Sequence, residues 1–151
     1  MEIRRSALSP LRGGSVLALL SALLLMLLFT GGGSGAGEPR SWEAVWNLGH
    51  VATFFIWTLT LQHFFPRLAL QAFSDQWKKV LALTLLAATL IEGIQYVIGR
   101  DASVADIATS AVGSFAALAF FSPAASTLPQ ARRRAVRLTA AALLLLTLLP
   151  L

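Results

Sequence analysis

Apolar positions along this chain gather into five runs separated by short polar stretches. The first, "SVLALLSALLLMLLFT" (15–30), precedes the glycine-rich "GGGSGAGEP". The second, "NLGHVATFFIWTLTLQHFF" (47–65), stops at Pro66. A third covers 80–98, a fourth, "SVADIATSAVGSFAALAFF" (103–121), ends before "SPAASTLPQ", and the last occupies 135–151. Crossing a hydrocarbon core takes about 20 residues, with a range of about 17–25. Runs two, three and four reach that length. Run five is continuously apolar only in its last part, so it spans with local bilayer thinning or inserts halfway. The pattern predicts an all-α, polytopic integral membrane bundle of about five transmembrane helices. Residues 1–14 form a cytoplasmic N-terminal segment and 15–151 a single transmembrane domain.

The first run admits a second reading. "MEIRRSALSPLR" has the character of a signal-peptide n-region, and "SGA" before Gly37 that of a small-residue cleavage site. A retained helix is preferred because the run is near the spanning length. Between runs two and three, "RLALQAFSDQWKK" (67–79) reads as a short interfacial helix, with Trp77 at the headgroups.

Charge supplies the orientation. Arg4, Arg5 and Arg12 precede the first run, Arg67, Lys78 and Lys79 lie between the second and third, and Arg132, Arg133, Arg134 and Arg137 lie between the fourth and fifth. Alternate connections hold only Arg40 and Arg100. The positive-inside bias therefore predicts a multi-pass protein of the cell membrane. Its N-terminus is cytoplasmic, while its C-terminus and the 99–103 loop are extracytoplasmic.

Composition agrees. The chain is 56% hydrophobic and 13% charged, against about 45–50% and about 25% in an ordinary soluble domain. A net charge of +5 fits contact with anionic lipid better than nucleic acid, which is not expected as a partner. Cysteine is absent, which excludes disulfides, thiolate metal sites and cysteine nucleophiles.

The unusual feature is a concentration of polar residues in "IEGIQYVIGRDASVADIATSAVG" (91–113). With the 99–103 loop outward, Glu92 lies about two turns below the outer surface at about 1.5 Å per residue. Gln95 follows on the same helical face, Asp106 opens the next helix at a similar level, and His50 starts the second run at the outward end. Arg100 stands above them. A carboxylate in hydrocarbon is costly unless paired, protonated or wetted, so Glu92 must face the bundle interior or an outward cavity.

Each residue keeps a structural reading beside its functional one. Asp106 suits a capping box with Ser103 as N-cap. Arg100 can pair with Asp106 or Glu92, or offer its planar fork to a phosphate or carboxylate. His50 can hydrogen-bond Glu92, shuttle protons or, least favoured, bind a metal. His63, thirteen residues on, is roughly 20 Å away and does not join it. No metal site and no cofactor are expected. Gly113 and Ala117, with Ser110 a turn earlier, read as a close-packing stripe. Trp42 and Trp46 fit an outer aromatic belt, and the Phe54–Phe55 pair reads as lipid contact or core.

Asn47, His50 and Phe54, followed by Glu92, Gln95, Arg100, Ser103, Asp106, Ser110 and Gly113 in the spacing E-x-x-Q-x-x-x-x-R-x-x-S-x-x-D-x-x-x-S-x-x-G, resemble the VanZ-like membrane proteins. The match covers roughly 47–120. It departs from the family where Ile91-Glu92 replaces a frequent acidic pair, where Ser110 replaces Asn, and where Leu48 replaces Lys. The resemblance implies a small bacterial membrane protein of the cell envelope. The family's namesake is linked to low-level resistance to the glycopeptide teicoplanin, so a resistance-like role and a glycopeptide-related ligand are what the likeness suggests.

Two functions follow as expectations. One is binding or modifying an envelope lipid or cell-wall intermediate. His50, Glu92 and Asp106 are then the candidate catalytic groups, and Asn47, Gln95, Arg100, Ser103 and Ser110 the binding groups. The other is a non-enzymatic module in which the same residues lock helices together. Transport is disfavoured, because the inner halves of the runs carry few polar groups. No nucleophile motif or nucleotide loop assigns an enzyme class.

Overall fold

The computed structural model describes residues 10–30, 40–100 and 102–147. Its elements are α1 (Pro10–Thr30), α2 (Arg40–Phe64), α3 (Pro66–Ala69), α4 (Phe73–Val97), α5 (Val104–Phe121), α6 (Pro123–Ser126) and α7 (Gln130–Thr147). No strand occurs among the described residues. The 31–39 stretch with its cleavage reading, Asp101, and the Trp42 side chain lie outside the description.

Five long helices thus match the five apolar runs; among the described residues, two of them, α4 and α5, are long and apolar enough to cross a membrane by length and composition. Helix α1 is apolar over Gly13–Phe29, the part whose side chains are described, while α2 and α7 fall short for visible reasons. Asn47 and His50 interrupt the first half of α2, and Gln62 and His63 its last turn. Four arginines occupy the first half of α7.

Boundaries shift where polar turns join apolar ones. Helix α2 starts at Arg40 rather than 47, α7 at Gln130 rather than 135, and α4 at Phe73 rather than 80. The expected interfacial helix over 67–79 does not form as one unit. Pro66 fixes φ and opens α3 at its first position. The chain then bends at 70–72, and the remaining residues, Trp77 included, belong to α4.

At the far end of α4 the chain turns back within a few residues. Gly99 takes φ +84°, its N–H donates to Tyr96 O at 3.1 Å, and the Arg100 N–H donates to Gln95 O at 2.9 Å. This is a Schellman closure, which needs a residue free of the Cβ penalty at its left-handed position. It throws Arg100 out over the end of the bundle. Helix α5 ends where Pro123 forces Ser122 into an extended conformation, and the Ser122 hydroxyl caps α6 by accepting from Ala124 N at 3.1 Å.

Helix α5 is the centre of the bundle, packed on α2, α4 and α7, while α1 packs on α2. Its buried face is small: Ser110, Gly113, Ser114, Ala116 and Ala117. A Cβ added to Gly113 would collide with the backbone of Val51, so α2 and α5 approach to backbone contact there. The stripe read from the sequence is therefore structural. Around it, Phe54, Ala88 and Ile91 form an apolar core with Leu25, Phe29, Trp57, Ala87 and Ile107 against it, which settles Phe54 as core.

Hydroxyl and amide pairs tie the helices together. Thr84 Oγ1 and Ser114 Oγ share a 2.7 Å hydrogen bond between α4 and α5. Ser21 and Thr60 pair at 2.9 Å between α1 and α2, and Ser122 Oγ donates to Gln76 Oε1 at 2.5 Å. A double-mutant cycle of Thr84→Val and Ser114→Ala is expected to yield a coupling energy of about 0.6–1.7 kcal/mol. Strictly additive losses in denaturation would show that the pair does not hold α4 to α5.

Candidate functional site

Three helices deliver the polar residues to one end of the bundle. His50 comes from α2, Glu92 from α4, and Asp106 and Ser110 from the first two turns of α5. His50 is 1% exposed, Glu92 4% and Asp106 7%. Their nearest nitrogen and oxygen atoms all lie within 4.8 Å of one another. Residues 42 and 56 positions apart in sequence thus meet because α4 and α5 form a hairpin beside the middle of α2.

The individual contacts define the cluster. His50 Nε2 lies 3.5 Å from Asp106 Oδ2, too far for a good hydrogen bond, and it has no hydrogen-bond partner. On the other side of the ring, Nδ1 is 3.4 Å from Ser110 Oγ. That hydroxyl donates to the backbone oxygen of Asp106 at 2.7 Å, the back-bonding typical of serine in helices. Glu92 uses one oxygen only: Oε2 accepts from the Ser103 N–H at 2.7 Å, while Oε1 is buried without a hydrogen bond.

That Ser103 contact corrects the capping-box expectation. Ser103 occupies the N-cap position of α5 with extended angles, but its side chain makes no capping bond. Its backbone N–H is answered by a carboxylate from α4. An acceptor from a packed neighbour serves where a box within α5 was expected, because the Schellman turn after α4 brings the start of α5 back beside Glu92.

Arg100 and Gln95 also depart from expectation. Arg100 does not turn to Glu92. Its Nη1 donates to the Leu28 carbonyl at 2.8 Å, and its guanidinium carbon lies 5.0 Å from the Trp46 ring centroid, a cation–π distance. Gln95 Nε2 donates to the same Leu28 oxygen at 2.9 Å, so its amide serves α1 and not the cluster. Asn47, half-buried one turn before His50, makes no side-chain hydrogen bond among the described residues. His63 packs toward Gly14 of α1 at the opposite end of α2, as its spacing implied.

Two participants were missed by sequence reasoning. Leu28 acts through a backbone oxygen at the end of α1, which no side-chain pattern announces. Trp46, read as part of an aromatic belt, stands edge-on to His50 with centroids 5.9 Å apart and also beneath Arg100. Its position one helical turn before His50 was the available signal.

A cavity of about 550 Å³ opens at this end, lined by Tyr96, Gly99, Arg100 and Ala102. The His50–Glu92–Asp106 group does not line it. Arg100 joins the two, since Trp46 carries it on one side and touches His50 on the other. The arrangement offers a cationic, planar donor at an open mouth and three buried ionisable groups behind it. No protein-family model matches the chain, and neither a curated protein nor a solved structure does.

Proposed function

We propose that this chain is a VanZ-like, multi-pass protein of the bacterial cell membrane, crossing it with five helices, that binds an anionic envelope lipid or cell-wall lipid intermediate at Arg100. The membrane reading is supported by α4, whose apolar window is only 33% buried. Leu86, Leu90 and Ile94 on it are exposed, as are Leu19, Leu23 and Met26 on α1 and Leu138 and Leu145 on α7. A soluble core helix would bury such a face; one in lipid has no need to.

The observation that carries the binding reading is the Arg100 cavity. The guanidinium has five donors, and its Leu28 bond uses Nη1. Remaining donors suit a phosphate or carboxylate, and Tyr96 gives the mouth an exposed aromatic wall.

The test is lipid retention. Protein purified in mild detergent and put into nanodiscs with phosphatidylglycerol, phosphatidylethanolamine or a polyprenyl phosphate is read by native mass spectrometry. Arg100→Gln is expected to lose about tenfold in retention of the phosphorylated lipid it prefers, a hydrogen-bonded charge being worth about 1.5–3 kcal/mol. Equal retention of all three lipids by both proteins would reject the reading.

The Glu92–Ser103 bond favours a second reading, a polar lock between α4 and α5. It predicts that Glu92→Gln loses folded protein in detergent. Normal thermal stability combined with lost lipid retention would reject the lock and keep the binding site.

A further inference from the structure

The buried groups behind Arg100 have a chemistry of their own. Ser110 spends its proton on the Asp106 backbone oxygen, so its lone pairs face His50 Nδ1. The ring proton therefore sits on Nδ1, and Nε2 presents a lone pair. That lone pair meets Asp106 Oδ2 at 3.5 Å without a hydrogen bond. Glu92, whose Oε1 is buried and likewise without one, brings a carboxylate oxygen within 4.8 Å of the donors of the other two residues. Donors brought face to face out of water repel unless a cation stands between them.

A shared proton would answer only half of this. It can bridge His50 and Asp106, but it leaves Glu92 Oε1 without a partner. A metal ion takes all three. We propose that His50 Nε2, Glu92 Oε1 and Asp106 Oδ2 bind one divalent transition-metal ion of the zinc type.

The donor set suits that chemistry. One imidazole nitrogen and two carboxylate oxygens are ordinary zinc or manganese ligands, whereas the soft sulfur ligands of copper(I) are absent from the group. Bonds of about 2.0–2.2 Å to a tetrahedral ion place ligands about 3.4 Å apart. His50 and Asp106 stand near that spacing already, and a small movement of the Glu92 carboxyl closes the third side. Three protein ligands leave a fourth position open, the mark of a reactive rather than a purely structural ion. Ser110 is the positioning residue, since it fixes the tautomer that turns Nε2 to the metal.

This inference does not rest on lipid recognition at Arg100. Its test uses the full chain in lipid-free detergent, purified without a histidine tag, stripped of metal and equilibrated with zinc. Elemental analysis is expected to find a single zinc per chain. His50→Ala, Glu92→Gln and Asp106→Asn should each abolish stoichiometric binding, and Ser110→Ala should weaken it by about 10–100-fold. His63→Ala, which removes the other histidine, should change nothing. Cobalt(II) in place of zinc should give visible absorption bands in the parent protein and none in His50→Ala. If the ligand variants do not fold, Ser110→Ala and the zinc-dependent rise in the parent's melting midpoint carry the test. Substoichiometric zinc in the parent, equal zinc in parent and Ser110→Ala, or an unmoved midpoint would overturn the site, whatever the lipid experiment returns.

Discussion

Gly113→Ala is expected to lower the unfolding midpoint of the detergent-solubilised protein by on the order of 5–10 °C, from about 2–3 kcal/mol of overpacking. The added methyl meets the carbonyl oxygen, carbonyl carbon and Cα of Val51. These are backbone atoms in the middle of α2, which cannot rotate aside as a side chain would. Relief requires α2 and α5 to separate along their whole contact, and that contact carries both His50 and Asp106. Gly93→Ala is the internal comparison. Gly93 lies in α4 with nothing within 4 Å of its virtual Cβ, so alanine there should be neutral or stabilise by about 0.5–1 kcal/mol through helix propensity. Equal midpoints for the two variants would show that α2 and α5 do not approach as closely as described.

An all-or-none contrast is expected from cysteine accessibility. The chain has no cysteine, so single cysteines at Ala102 and Gln130 report alone. Both positions are exposed, and they lie beyond opposite ends of α5, whose 18 residues extend about 27 Å. In intact cells, an impermeant maleimide should label Ala102→Cys to completion and leave Gln130→Cys unlabelled until the cells are opened. The expected sense rests on the arginines: Arg133 and Arg137 reach the backbone near the α5–α7 connection, at Ser126 O and Ala119 O, the end that the basic residues assign to the cytoplasm. The reverse pattern would put the Arg100 cavity inside the cell, and labelling of both from outside would remove the membrane reading altogether.

Helix existence was legible along the chain because apolar runs and prolines are local signals. Pro66 ends α2 and Pro123 ends α5 for reasons contained in two residues each. The Gly113 stripe was legible for the same reason, as a spacing on one helix. Convergence of His50, Glu92 and Asp106 at one level was legible from helix count and rise. The metal site proposed for them was not, because the donors come from three helices and no interval along the chain encodes it. Nor was the pairing of Gln95 and Arg100 with Leu28 O. A carbonyl left open near a helix end accepts from whatever packs beside it, and every residue type carries that same oxygen. The starts of α2, α4 and α7 were missed because residues such as Arg40, Gln130 and Phe73 extend helices past the edge of the apolar pattern, where periodicity gives no warning.

The indole of Trp46, held between Arg100 and His50, turns this end of the bundle into an optical sensor. With the other three tryptophans changed to phenylalanine, emission from Trp46 alone would register an anion arriving at the guanidinium as one spectral shift and a cation arriving at the imidazole as another. Occupancy of the mouth and of the chamber behind it would then be followed together, in real time and without any attached label.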